Sequence, residues 1–229
     1  MKINPFTYPI KENKILVNER EIDLSGYSCI AVMGAVGSGK SQLIKLLADS
    51  HLREVGAFSD YPFCAYLSQD LTRLFTGNTP EKILELYQDE QYTVGKHFDP
   101  RLFDNYAEKL SIESLIGKNR RLAHYSEGER QRLGICLAAA VRAPVTILDE
   151  PSTALDIRCR RELFSIIGEI QRRSTVFIIS HRLLDALATA DYMIWMKDLS
   201  VSDRFPLEDI VKKPHILSCY PGVDEKYYV

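Results

Sequence analysis

The sequence predicts an α/β fold in which parallel strands are covered by helices on both faces. Short apolar runs rich in β-branched residues are typical of buried strands, and amphipathic stretches lie between them. Strands that alternate with helices favour a parallel sheet. The predicted strands lie at residues 29–33, 63–67, 145–148, 175–179 and 192–196, and the predicted helices at 42–52, 130–141, 158–172 and 183–190.

Composition narrows the function classes. Of the 229 residues, 45% are hydrophobic and 26% are charged, as in a soluble globular protein with a sizeable core. A net charge of -2 argues against nucleic-acid binding through a broad basic face. The five scattered cysteines lack CxxC spacing and indicate a reducing, cytoplasmic compartment. No apolar run approaches the roughly 18 residues needed to span a bilayer. We therefore expect another chain to hold the protein at any membrane.

Three further segments organise the chain. The stretch up to Leu24 predicts an antiparallel β hairpin or meander, and residues 71–125, which are polar and broken by glycine and proline, predict a helical insertion. The proline-containing tail from Asp203 predicts an appendage packed on the surface. We expect one domain over residues 1–229. Its predicted parts are a core of 1–70 and 141–200, a small N-terminal antiparallel β subdomain, a helical subdomain of 71–140 and an appendage of 201–229.

A glycine-rich loop lies between the first predicted core strand and the first helix. This context indicates phosphate binding, because consecutive backbone N–H groups and a helix N-terminus form a concave anion site. Lys40 would reach the β- and γ-phosphates, and the Ser41 hydroxyl would bind Mg²⁺. The alternative is a glycine-rich turn with a chance lysine, and the flanking strand and helix argue against it. The loop reads Gly34-Ala35-Val36-Gly37-Ser38-Gly39-Lys40-Ser41.

A second motif, at residues 145–150, is an apolar strand that ends in two carboxylates. Asp149, at the tip of the buried strand, could hold Mg²⁺ through water. Glu150 would then stand near the γ-phosphate as a general base or as the residue that positions water. A solvated acidic turn is the alternative when the pair is taken alone. The glycine-rich loop of residues 34–41, a P-loop, lies about a hundred residues upstream. Together with this loop, the pair of carboxylates indicates a nucleoside triphosphatase.

Four shorter motifs accompany these two in a fixed order. With them, the chain resembles the nucleotide-binding domain of ATP-binding cassette (ABC) ATPases, a P-loop fold with a RecA-like core. The resemblance covers Walker A, Q-loop, signature motif, Walker B, D-loop and H-loop, and so most of the chain. The shorter motifs are Tyr66-Leu67-Ser68-Gln69, Tyr125-Ser126-Glu127-Gly128-Glu129-Arg130-Gln131-Arg132, Pro151-Ser152-Thr153-Ala154-Leu155-Asp156 and Ile178-Ile179-Ser180-His181.

The resemblance implies a role for several single residues. Gln69 would be the Q-loop residue that senses Mg²⁺ and the attacking water. His181 would hydrogen-bond the γ-phosphate, and Asp156 would belong to the D-loop that crosses a dimer interface. Tyr8 would stack on adenine, although Phe6 is a competing candidate and core packing is an alternative for either ring. ATP and Mg²⁺ are the implied ligands.

The signature motif departs from the usual Leu-Ser-Gly-Gly-Gln. In this family two domains sandwich two ATP molecules, and here Ser126 and Gly128 would contact the partner's γ-phosphate. Glu127 replaces a glycine, and whether its carboxylate points toward that phosphate or into water is open. Locally, Ser126 and Glu129 form the pattern of a capping box. In the P-loop, Gln42 stands where threonine or serine is usual, and its amide can still donate to the α-phosphate.

Partners follow from the resemblance. A single nucleotide-binding domain fits an importer-type ATPase that works with a separate transmembrane subunit at the cytoplasmic face of the membrane. Two segments, residues 74–83 and the tail from Pro206, resemble ATPases of energy-coupling-factor (ECF) transporters. Glu127 favours a heterodimer with a second ABC ATPase over a homodimer. The alternative function is a soluble ABC ATPase with a regulatory or assembly role.

Overall fold

The computed structural model describes residues 1–10, 14–48, 63–71, 79–118 and 120–220. Most strands in this part of the chain lie where apolar runs predict them. In chain order the strands are β1 Lys2–Ile3, β2 Phe6–Ile10, β3 Lys14–Asn18, β4 Ile22–Asp23, β5 Cys29–Gly34, β6 Cys64–Leu67, β7 Val145–Asp149, β8 Thr175–Ile179, β9 Tyr192–Lys197 and β10 Ser200–Pro206.

Helices follow each of the strands β5, β6, β7 and β8. Among the described residues, no helix is long and apolar enough to cross a bilayer. Short 3-10 turns lie at Glu113–Leu115, Leu122–His124 and Leu207–Lys212. In chain order the α-helices are α1 Lys40–Ala48, α2 Pro80–Gln88, α3 Thr93–His97, α4 Pro100–Lys109, α5 Glu127–Ala140, α6 Ile157–Ile170, α7 Leu183–Thr189 and α8 Pro214–Leu217.

The chain divides into two compact units. The strand-rich unit consists of Met1–Phe63 and Thr175–Val229, and the helix-rich unit of Cys64–Ser174. This division differs from the predicted one, because β6, β7 and α6 belong to the same unit as the predicted helical subdomain. The described part of the predicted insertion is helical, as expected. The mixture of parallel strands and helices confirms the predicted α/β class.

In the strand-rich unit the strands follow the order β2-β3-β10-β9-β5-β8. Strand β5 is buried along its whole length and pairs in parallel with β8 and β9. A strand covered on both faces needs a continuous apolar run, which is the pattern of residues 29–33. Gly34 pairs with Met196 at the end of this strand. The glycine-rich loop therefore starts from a strand that is paired on both sides.

The N-terminal hairpin is present as predicted. Strands β2 and β3 pair antiparallel, with Tyr8 opposite Leu16. The hairpin joins the main sheet through a parallel contact between β3 and β10, at Val17 and Ser200. A separate antiparallel pair is formed by β1 and β4.

The predicted appendage from residue 201 begins too early. Strand β10 belongs to the sheet, where it pairs antiparallel with β9. Its inward-facing residues, Val201 and Phe205, are buried. The register shifts between Val201 and Asp203, so the period-two alternation that identifies a strand is interrupted. Because of this irregularity, the sequence pattern does not predict strand β10.

In the helix-rich unit, β6 and β7 pair in parallel, with Leu67 opposite Leu148. Helix α5 is buried from Leu133 to its end. Gly134 lets it approach β6 closely, because a Cβ atom there would lie 2.7 Å from a methyl carbon of Leu67. Leu71 is also buried beside this glycine. Leu71 therefore packs within its own unit.

Candidate functional site

The P-loop connects β5 to α1, and two of its glycines are required by its geometry. Gly34 has φ +146°, and a Cβ atom there would lie 2.2 Å from the carbonyl oxygen of Met196. Gly39 has φ +101°, and its Cβ would lie 3.1 Å from a methyl group of Leu199. Side chains at these positions would clash or strain the backbone. The loop can therefore follow its path only with glycine at both positions.

Lys40 is the first residue of α1 and is buried. Its ammonium group donates hydrogen bonds of 2.8 Å to the carbonyl oxygens of both Gly34 and Ala35. The side chain thus folds back over the loop and carries a positive charge to the helix N-terminus. That end of a helix favours anions. The arrangement is suited to holding a phosphate chain.

Ser38 provides a direct test of whether the loop fits such a ligand. Its hydroxyl oxygen is buried and has no hydrogen-bond partner among the described residues. A buried polar group without a partner costs about 1–3 kcal/mol, so such a group calls for a ligand or water. The Ser41 hydroxyl, half-buried in the first turn of α1, is an oxygen donor of the kind that Mg²⁺ prefers. The P-loop residues therefore fit Mg-ATP.

A cavity of about 660 Å³ opens beside the loop. Gly37 and the first residues of α1 line one side, including Gln42 and the basic Lys45. On the other side, the described residues that line it are Ile10, Lys14 and Leu199. Its three lysines, Lys14, Lys40 and Lys45, give it a positive lining that suits an anionic ligand.

Tyr8 lies two residues before Ile10, which lines this cavity, but Tyr8 itself is not among the lining residues. Tyr8 is half-buried on β2, on the same face as Phe6 and Ile10, because side chains alternate along a strand. Ile10 contributes to the cavity wall instead. The stacking role of Tyr8 stays a prediction. Sequence reasoning missed Ile10 and Lys14, although their opposed positions in a predicted hairpin were a usable signal.

The strand that ends in two carboxylates, residues 145–150, lies in the helix-rich unit. Asp149 ends the wholly buried strand β7 and is only 3% exposed. The hydroxyl of Tyr66, on β6, donates a hydrogen bond of 3.4 Å to its Oδ2 atom. Burial, and secondly the Asp149 carboxylate, raise the pKa of Tyr66 to about 12. Tyr66 therefore stays protonated and supports a negative charge on Asp149.

Glu150, the next residue, has a backbone conformation that is rare for a residue other than glycine. Its φ is 50°, in the left-handed region, and the residue is 9% exposed. Residues with a Cβ atom adopt this region only where their surroundings hold them there, often at functional sites. The backbone N–H of Thr153 donates to the Glu150 carbonyl oxygen at 3.3 Å. The turn after the strand thus constrains the backbone from which this carboxylate projects.

Gln69 and His181 are both exposed just after strands. Gln69 follows β6, which pairs with β7, so Gln69 lies at the same end of these two strands as Asp149. His181 follows β8 in the strand-rich unit. Next to it, the Ser180 hydroxyl donates to Asp185 at 3.2 Å and accepts from the Arg182 N–H at 3.0 Å. These bonds fix the backbone on both sides of the histidine.

The signature motif opens α5, and the predicted capping box is present. The Ser126 hydroxyl accepts from the Glu129 N–H at 3.2 Å, and the Glu129 carboxylate accepts from the Ser126 N–H at 2.7 Å. This second bond is the main reason that the pKa of Glu129 is lowered. Glu127 is exposed. A Cβ atom on Gly128 would lie 2.8 Å from the Ala154 carbonyl oxygen, so glycine is required there.

The D-loop residue Asp156 caps the next helix. Its carboxylate accepts a hydrogen bond of 2.7 Å from the Cys159 N–H at the start of α6. The neighbouring Ile157 is 69% exposed. The role of Asp156 at a dimer interface stays a prediction.

Comparison with known proteins identifies the family. Residues 17–153 match the family model described as "ABC transporter". The ATP-dependent lipid A-core flippase of Photobacterium profundum is 29% identical over 90% of this chain, which spans 37% of the flippase. The thiamine import ATP-binding protein ThiQ of Photorhabdus laumondii is 25% identical, over 86% of this chain and 87% of ThiQ.

Solved structures show the same fold. An ATP-binding subunit of an ABC transporter superposes with a TM-score of 0.73 at 18% identity, covering 96% of this chain and 97% of that one. A bacterial Atm1-family ABC exporter with ATP bound gives 0.72 at 17% identity, over 93% of this chain and 40% of the exporter. The family model covers more than half of the sequence, and the solved structures have the same fold as this chain. The chain belongs to the ABC transporter family.

Proposed function

We propose that this chain is the ATP-hydrolysing subunit of an ABC transporter and drives transport through a separate membrane subunit. The observation that carries the proposal is the P-loop, in which Lys40 folds over Gly34 and Ala35 at the wall of a positively lined cavity. The similarity to ThiQ, along 87% of that protein's length, supports an ATPase made as its own subunit. The cytoplasmic face of the membrane is its proposed place of action.

In the proposed mechanism each residue has one task. The loop N–H groups and Lys40 bind the phosphates of ATP, and Ser41, Asp149 and Gln69 would hold Mg²⁺. When bound, Mg²⁺ neutralises charge on the phosphoryl oxygens. Glu150 accepts a proton from the attacking water, and His181 donates a hydrogen bond to the γ-phosphate.

We further propose that the working unit is a heterodimer with a related ATPase. In a dimer of this kind Ser126 and Gly128 would face the nucleotide bound by the partner. The exposed Glu127 puts a negative charge in the first turn of α5, where an anionic phosphate would also lie. In a homodimer both nucleotide sites would meet this repulsion. In a heterodimer this chain's own P-loop would be matched with the partner's signature.

The ECF subtype rests on sequence alone. Residues 72–78 and 221–229, which carry much of that resemblance, lie outside the described residues. We propose that Leu74 and Phe75, two apolar residues of the predicted helical insertion, contact the membrane subunit, and they too lie outside the described residues. We keep the alternative function, a soluble ABC ATPase with a regulatory or assembly role, because one relative is named for translation and not for transport. The yeast translation initiation factor RLI1 is 28% identical over 82% of this chain, which spans 31% of it.

Isolation of the tagged full chain from its native cells tests the proposal. We expect it to be recovered with membranes, together with a multi-helix membrane protein and a second ABC ATPase. Recovery without any membrane protein would favour the regulatory alternative. The dimer is tested separately on the purified chain with ATP. A stable homodimer that hydrolyses ATP rapidly, and that Glu127→Gly fails to improve, would contradict the heterodimer.

A further inference from the structure

Gln131 is a buried polar residue to which the proposed mechanism gives no task. It lies one turn into α5, just after the signature residues, and is 6% exposed. Its side-chain amide donates hydrogen bonds to two successive carbonyl oxygens, those of Glu150 at 3.5 Å and Pro151 at 3.2 Å. A buried glutamine therefore links the signature helix to the backbone of the candidate catalytic residue.

The backbone at Glu150 needs such support. Its left-handed conformation is disfavoured for any residue that has a Cβ atom, and it persists where neighbouring groups hold it. Pro151, the next residue, has no N–H group and so cannot donate to the turn. Among the described contacts, the Thr153 N–H donates to the carbonyl oxygen of Glu150, and Gln131 donates to those of Glu150 and Pro151. Removal of the Gln131 amide would leave the conformation of Glu150 less constrained.

Helix α5 touches the same loop at a second point. Gly128 approaches Ala154 so closely that a Cβ atom would lie 2.8 Å from its carbonyl oxygen. Gly128 and Gln131 are three residues apart and so lie on one face of the helix. The N-terminus of the helix is fixed by the capping box of Ser126 and Glu129. A shift of this helix end would therefore reach the loop of residues 150–154 directly.

We propose that Gln131 is a positioning residue for ATP hydrolysis. It holds the backbone of Glu150 so that the carboxylate is aimed at the attacking water. Through Gln131, contact made at the signature end of α5 is transmitted to the hydrolytic glutamate of the same chain. The proposal rests on the role of Glu150 given under the proposed function.

The variant Gln131→Leu tests this proposal, because leucine has a similar volume and no donor. Measured on the full chain as purified, kcat should fall about 10- to 100-fold, as expected when a reacting group is misplaced by a fraction of an ångström to an ångström. The dissociation constant for ATP should change less than about twofold. Gln131→Glu, which keeps the shape and loses the donor, should lose as much. Gln131→Asn, which keeps the amide one methylene shorter, replaces Gln131→Leu if that variant does not fold.

Tyr106→Phe is the matched control. It removes a buried hydroxyl of the same unit, which accepts a hydrogen bond from Arg173 at 3.3 Å. Tyr106→Phe and Gln131→Leu should each lower Tm by about 2–4 °C. Only the Gln131 variants should lose turnover. Equal turnover in Gln131→Leu and wild type, or a parallel loss of turnover and ATP affinity as in a damaged fold, would overturn the proposal.

A double variant separates this role from that of Glu150. In the Glu150→Gln background, Gln131→Leu should lower kcat no further than about twofold, because residues that act as one unit are strongly non-additive. Independent, multiplying losses would overturn the positioning role. Wild-type turnover in Glu150→Gln alone would instead contradict the proposed function of Glu150, whatever Gln131 does.

Discussion

The ammonium group of Lys40 donates a hydrogen bond of 2.8 Å to the carbonyl oxygen of Gly34, six residues earlier at the end of β5. This bond ties the beginning of the P-loop to the beginning of α1. Lys40 therefore closes the loop and at the same time places a positive charge at the wall of the cavity. One side chain serves both the shape and the charge of the proposed phosphate site.

Lys40→Met should lower ATP affinity strongly. Methionine keeps most of the side-chain length but removes the charge-assisted bonds to phosphate, which contribute about 1.5–3 kcal/mol each. The dissociation constant, measured by calorimetry, should rise about 10-fold or more. The control is Lys82→Met, which removes an exposed charge in the other compact unit and should leave ATP affinity unchanged. Equal ATP affinities in the Lys40 variant and wild type would contradict the assignment of residues 34–41 as the loop that binds the phosphates of ATP.

Ser126→Ala should destabilise the helix-rich unit. The variant removes one bond of the capping box that opens α5, a change that costs about 1 kcal/mol of unfolding free energy. Urea denaturation measures the loss. Glu127→Gln removes only an exposed charge from the same turn and should cost less, about 0.3–1 kcal/mol. A Ser126 variant as stable as wild type would show that the capping box contributes nothing to the stability of this unit.

Acid should weaken the link between Asp99 and Arg142. Their hydrogen bonds, the shorter at 2.5 Å, are the main reason that the pKa of Asp99 lies below its ordinary value of 3.8. A carboxylate with a lowered pKa stabilises the fold above its unfolded-state pKa, and the contribution is lost as the pH falls through the folded-state pKa. Because the Arg142 side chain is 62% exposed, screening keeps the effect below about 1 kcal/mol.

The check compares wild type with Asp99→Asn, since asparagine still caps α4. The difference in unfolding free energy should be largest near neutral pH and should shrink below about pH 4. A difference that stays constant from pH 7 to pH 3 would show that the charge of Asp99 does not contribute.

The sequence predicted the buried strands well because each of them is a continuous apolar run. Strand β10 was missed because its register shifts between Val201 and Asp203 and so breaks the alternating pattern. The capping box of Ser126 and Glu129 was predictable because both of its residues are close in the chain. Regular patterns among residues close in the chain can be recognised in the sequence, whereas an irregular strand such as β10 cannot.

The candidate site was predictable only in part. The P-loop is a continuous segment, so its residues could be named in advance. The cavity wall also includes Leu199, far away in the chain, and pairing across the sheet brings it there. Gln131 likewise reaches Glu150 only through tertiary packing. Neither contact leaves a pattern in the sequence.

We propose that Glu150 promotes the hydrolysis of ATP bound at the P-loop. The most direct measurement is release of inorganic phosphate from ATP in a single turnover, by wild type and Glu150→Gln, each in the assembly in which the full chain is purified. The variant should bind ATP within about twofold of wild type. A general base contributes about 10²- to 10⁴-fold, so its phosphate release should be at least about 100-fold slower. Phosphate release at the wild-type rate, with ATP bound equally well, would show that Glu150 does not promote hydrolysis.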